Sequence, residues 1–110
     1  MKKLNKIMLA LSILPTLLTS VFLFFMNDTV PMHYNASGAV DRYGSKYENF
    51  ILPAIILFMY AFYMVYTKIY TKYSTNSVEK INNNVKITAI LVTSIIAAFN
   101  ILQLMFLILA

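Results

Sequence analysis

The sequence predicts an all-α membrane protein: three transmembrane helices, with an ordered extracytoplasmic loop between the first and the second. Three observations carry that reading. The chain is 60% hydrophobic and only 12% charged, with a mean hydropathy of +0.71. Its apolar residues fall in long runs rather than in alternating or amphipathic patterns. Its polar residues are gathered into short stretches between those runs. A water-soluble domain of 110 residues has no interior large enough for this much apolar surface, because small domains bury the smaller fraction of theirs.

The elements follow in order. Lys2, Lys3 and Lys6 make a basic start. The first span, about residues 7–26, has no charge, and at about 1.5 Å per residue it crosses about 30 Å of hydrocarbon. A basic start before an apolar run also describes a secretory signal. The run is long for one, and Phe24-Phe25-Met26-Asn27-Asp28 offers no small-residue cleavage site, so a retained anchor is favoured. Pro15 lies inside this span, where a neighbour must satisfy the carbonyl it frees.

Residues 27–49 form a polar island, the outer loop. The second span covers about residues 50–70, with Lys68 and Lys72 at its end. Just before it, Ser45-Lys46-Tyr47-Glu48 fits a capping box, Ser45 as the N-cap and Glu48 reaching back. A helix begun there meets Pro53 too deep. Either it kinks near Asn49, or an interfacial turn precedes a span starting near Pro53. Residues 71–84 read as a polar connection, and 85–110 as a third span that crosses with some tilt.

Lys and Arg counts set the orientation. Three lie in the N-terminal segment, two (Arg42, Lys46) in the island, and four (Lys68, Lys72, Lys80, Lys86) around the second connection. The expected arrangement has the N-terminus cytoplasmic and the island and C-terminus extracytoplasmic. The net charge of +5 then belongs to membrane orientation, and no basic stripe suits a nucleic-acid partner. The absence of cysteine excludes a disulfide framework, a thiolate metal site and a Cys nucleophile.

Within the spans, Ser12, Thr16, Thr19 and Ser20 share one face, which Asn27 extends. Ala89, Thr93, Ala97, Asn100 and Gln103 form a second small and polar stripe. Such faces let membrane helices approach and hydrogen-bond. Asn100 and Gln103 are singled out, because an unpaired amide in lipid is costly; for them, packing and a polar cavity are both open. Tyr63, Tyr66, Tyr70 and Tyr73 form a stripe on the second span, read as an interfacial aromatic belt.

The island holds the only His, the only Arg and both Gly residues. Pro31 predicts an extended start, with His33 and Asn35 on one side. Asn35-Ala36-Ser37-Gly38 reads as a turn in which Gly38 takes positive φ. The candidate ligand-binding set is His33, Asn35, Gly38, Asp41, Arg42 and Lys46. A zinc site needs at least three protein ligands and the island offers one His and one Asp, so no metal and no cofactor is assigned. Nothing marks Ser37 or Ser45 as an activated nucleophile, and the chain is not read as an enzyme.

The pattern Pro31, His33, Asn35, Gly38, Asp41, Arg42, Gly44, Ser45, Lys46, followed by Leu52-Pro53, resembles the domain of unknown function at the N-terminus of SdpI-type immunity proteins. The likeness covers roughly Pro15 to Phe58. It implies a multi-pass protein of the bacterial plasma membrane that protects its producer from a secreted antimicrobial peptide, that is, bacteriocin resistance by toxin binding. Longer members of that family carry further helices, so a three-helix form is expected to act as a homo-oligomer or with a larger membrane partner. The leading expectation is therefore peptide binding at the membrane by the island and upper helices, with lipid as the surrounding partner. The alternatives are an accessory subunit of a transporter or enzyme complex, and a metal-assisted membrane enzyme.

Overall fold

The computed structural model describes residues 2–109. Helix α1 (Lys2–Phe22) runs into a 3₁₀ turn, Leu23–Phe25. Strands β1 (Thr29–Tyr34) and β2 (Val40–Ser45) follow, then a second 3₁₀ turn, Lys46–Phe50. Helices α2 (Ile51–Tyr73) and α3 (Val78–Leu109) complete the described chain. Three segments, Lys3–Phe25, Lys46–Tyr73 and Val78–Leu109, are long and apolar enough to cross a membrane. Two chain reversals leave α1 and α3 parallel and α2 antiparallel to both. The long axis measures 53 Å, so the ends project beyond a hydrocarbon slab of about 30 Å.

The helices meet along a narrow seam of Met8, Ile56, Tyr63, Ala89 and Ile96. Ala89 lets the backbones close in, as small residues do between membrane helices. The outward faces are apolar and exposed, as at Leu17, Phe58, Leu91 and Ile101, which is the inverse of a soluble bundle. Both membrane prolines, Pro15 and Pro53, are fully buried against this seam.

That placement has a consequence in hydrogen bonding. A proline has no N–H to give the carbonyl four residues earlier. Pro15 therefore deprives Leu11, and Pro53 deprives Asn49. Helix α3 supplies both missing donors: Asn100 Nδ2 donates to the Leu11 carbonyl at 2.9 Å, and Gln103 Nε2 donates to the Asn49 carbonyl at 2.8 Å. Gln103 Nε2 also donates to Thr19 Oγ1 at 2.9 Å. Gln103 thus ties α1, the turn before α2, and α3 together at one point. Both amides thus bond from α3 to groups outside it.

The expected helical fold with three membrane-length helices holds, and the ordered island between the first two is a two-stranded β-hairpin. Details within it differ from expectation. The polar connection shrinks to Ser74–Ser77, because α3 begins at Val78 and not near 85. Ser77 caps it, accepting from the Lys80 N–H at 3.2 Å, and Glu79 sits in the first turn, where the helix dipole favours an acid. Asn84 stays helical while its Nδ2 donates to Tyr70 Oη at 2.7 Å. The expected end of the third span, Ala110, lies outside the described residues. Ser12 and Thr19 on α1 are buried, whereas Ser20 and, beyond the helix, Asn27 are exposed. Ser20 Oγ instead donates to the Thr16 carbonyl in the previous turn. Of the tyrosine stripe, only Tyr63 enters the core.

Candidate functional site

The hairpin caps the end of the bundle where α1 finishes and α2 begins. Its strands pair antiparallel from Thr29 opposite Ser45 to Tyr34 opposite Val40. Two irregularities interrupt the ladder. Met32 is the extra residue of β1, and Asp41 the extra residue of β2. The second bulge sets Asp41 beside His33, whose Nδ1 lies 2.5 Å from Asp41 Oδ1. Both side chains are exposed, His33 at 67% and Asp41 at 41%.

Asn35 organises the turn. Its Oδ1 accepts from the Ser37 N–H (3.0 Å), the Ser37 hydroxyl (2.7 Å) and the Ala39 N–H (3.0 Å). Its own N–H donates to the Ala39 carbonyl. Gly38 has φ +84°, a conformation that disfavours any Cβ. Asn35 and Gly38 therefore shape the hairpin tip that carries His33 and Asp41.

The base of the hairpin is pinned to the turn before α2. Arg42 Nη2 lies 3.4 Å from Glu48 Oε1. Lys46 Nζ lies 3.7 Å from Asp28 Oδ1, and the Lys46 N–H donates to the Asp28 carbonyl. Ser45 caps the 3₁₀ turn by accepting from the Tyr47 N–H at 3.3 Å. Glu48 does not reach back as a capping box requires; it turns to Arg42. The reason is Pro53: the α-helix starts only at Ile51, leaving a separate interfacial turn. Of the two expected solutions, the structure takes the second.

Gly44 is where the strand and this turn touch. A Cβ there would stand 1.6 Å from Glu48 Oε2 and 2.8 Å from Met32 Cγ. Only glycine admits the Glu48 carboxylate at that position. Beneath it is a cavity of about 170 Å³, lined among others by Met32, Arg42, Glu48, Asn49 and Gln103. Glu48 Oε2 is enclosed and has no hydrogen-bond partner. A second cavity of about 180 Å³ adjoins it through Phe106, and is wholly apolar, lined by Tyr34, Leu102, Met105 and Leu109.

Of the residues singled out from sequence, the hairpin gathers His33, Asn35, Gly38, Asp41, Arg42 and Lys46 at one end of the molecule. Asn100 and Gln103 lie apart from that polar surface, although Gln103 floors the cavity under Glu48. Glu48, read from the sequence as a cap residue, lies against Arg42 and Gly44, and Asn49, not singled out from the sequence, is buried and donates to the Lys46 carbonyl at 2.9 Å. The Pro53 spacing was the available signal for Asn49. Among the described residues no three His, Cys, Asp or Glu side chains converge as metal ligands do.

Residues 10–57 match the family described as a domain of unknown function, DUF1648. The match runs from α1 through the hairpin into α2. A protein of Archaeoglobus fulgidus, described as uncharacterized, is 42% identical over 67 residues, which is 61% of this chain and 35% of that protein. The match thus spans about a third of the length of this relative. No solved structure matches the chain.

Proposed function

We propose that this chain is a small SdpI-like protein of the bacterial plasma membrane, giving immunity to a secreted antimicrobial peptide by binding it at the membrane surface. The observation that carries this is the junction of two chemistries at one end of the bundle. The hairpin offers exposed charges, and the groove formed by Tyr34 with the last turns of α3 is apolar. An amphipathic peptide has a face for each. A cavity lined by Arg42, Glu48 and Gln103 among others lies between them and offers polar side chains to such a ligand. The basic-residue count supports a cytoplasmic N-terminus, which turns the hairpin toward a peptide arriving from outside.

The test is to express the full chain in a sensitive cell and challenge it with secreted peptides, comparing His33→Ala, Asp41→Ala and Arg42→Ala at equal expression. Loss of protection in these variants is the expected result. Full protection by all three removes the hairpin from the mechanism.

A second reading is an accessory subunit of a larger membrane transporter or enzyme complex. The exposed apolar faces of all three helices favour it, since any of them suits a partner helix as well as lipid. That reading predicts a stoichiometric larger partner on purification and no resistance from this chain alone.

A further inference from the structure

At the end of the bundle away from the hairpin, the first turns of α1, the second half of α2 and the start of α3 enclose a cleft of about 620 Å³. We infer that this cleft binds the phosphate headgroup of an anionic phospholipid. Its polar lining is Asn5, Thr67, Lys68, Thr71, Lys72 and Asn82. No acid is among its lining residues. Lys68 and Lys72 stand one helical turn apart, as do Thr67 and Thr71, so each pair shares a face of α2.

Two ammonium groups at that spacing repel unless an anion sits between them. Among the described residues, the ion pairs all lie at the hairpin end, and neither lysine enters one. Asn5 Oδ1 is taken by the Tyr63 hydroxyl at 3.2 Å, which leaves Asn5 its Nδ2 donors. The cleft offers the Lys68 and Lys72 ammonium groups and the Asn5 amide as donors, with no carboxylate beside them, the pattern that a phosphate ester completes.

Its other wall decides between a lipid and free phosphate. Tyr63, Met64 and Val85 carry the same cleft toward the apolar seam. Tyr63 also borders a cavity of about 260 Å³ between α2 and α3, lined by Met59, Phe62 and Val92. Inorganic phosphate gains nothing from such walls, whereas the glycerol and upper acyl carbons of a phospholipid bury against them.

The experiment is native mass spectrometry of the full chain released from nanodiscs of phosphatidylcholine with a minor fraction of phosphatidylglycerol. Selective retention of phosphatidylglycerol is expected, falling about tenfold or more in Lys68→Gln/Lys72→Gln. Lys68→Arg/Lys72→Arg should retain the lipid, as should Lys80→Gln/Lys86→Gln, which removes the same charge from this end but outside the cleft. Val85→Trp, which fills the apolar wall and leaves every charge in place, should weaken retention. Equal loss in the Lys80/Lys86 variant, or retention unchanged in the Lys68/Lys72 glutamine variant, would overturn the site. Displacement of the lipid by millimolar inorganic phosphate would overturn the lipid as its ligand, and resistance to displacement supports it.

Discussion

Replacing Asn100 by Leu tests the idea that α3 serves as hydrogen-bond donor to proline-broken partners. In the native chain, Asn100 Nδ2 reaches the Leu11 carbonyl at 2.9 Å and the Ile96 carbonyl at 2.8 Å. The Ile96 carbonyl is four residues before Asn100 and keeps its helical donor, so losing the second bond costs little. The Leu11 carbonyl has no such reserve, since residue 15 is proline. An interhelical hydrogen bond in a membrane contributes about 0.6–2 kcal/mol, and an orphaned buried carbonyl costs about 1–3 kcal/mol. The expected loss for Asn100→Leu is about 2 kcal/mol, partly offset by the larger apolar side chain. In a Pro15→Ala background the residue 15 N–H returns to Leu11, and the same substitution should then cost under about 0.5 kcal/mol. Equilibrium unfolding in mixed micelles, run as a double-mutant cycle, measures the difference. Equal cost in both backgrounds would refute the reasoning, because Asn100 would then be acting through something other than the carbonyl Pro15 frees.

Further predictions concern the hairpin. Gly44→Ala should push the Glu48 carboxylate out of its position, break the Arg42 pair and lower peptide protection to the Arg42→Ala level, while the helices still fold; protection assays and circular dichroism together read this. Asn35→Ala removes an acceptor of three hydrogen bonds, and should cost the hairpin about 1–2 kcal/mol, seen as faster amide exchange across residues 29–45. Gly38→Ala should add about 1 kcal/mol of strain at φ +84°, with the same exchange readout. His33→Ala, by contrast, should change unfolding by less than about 1 kcal/mol, because its pair with Asp41 is exposed. A large loss of global stability there would show that the pair is structural.

The helical part of the fold was legible because hydrocarbon imposes a long, uncharged run on any segment that crosses it. Where the chain leaves lipid, that signal fails. The stretch of residues 71–84 reads as a loop because Asn, Ser and Thr are weak helix formers. Its second half is helical because Ser77 caps it and Asn84 ties to Tyr70, a partner fourteen residues away in sequence. The turn at Asn35–Gly38 was readable from residue chemistry alone. The strands on either side were not: Thr29–Tyr34 lacks clean alternation, and compensating bulges at Met32 and Asp41 depend on the partner strand. The same bulges bring His33 to Asp41, so the pair at the centre of the candidate site could not be had from spacing.

The division of labour among polar side chains argues for the hairpin as the working surface. Inside the bundle, Asn100, Gln103 and Asn49 donate their amide N–H groups to chain carbonyls, and Thr19 accepts from Gln103. These bonds hold the helices together. The hairpin is different. His33 and Asp41 pair with each other at an exposed position where the pair contributes little to stability. Glu48 keeps one oxygen bonded to Arg42 and the other enclosed without a partner. A buried carboxylate oxygen left in that condition is costly to the folded chain. The closeness that puts it there depends on a glycine at 44, where alanine would relieve the crowding by pushing the carboxylate away. Glu48 is held there by packing against Gly44 and by Arg42, so Gly44→Ala tests whether that position matters to the proposed peptide protection.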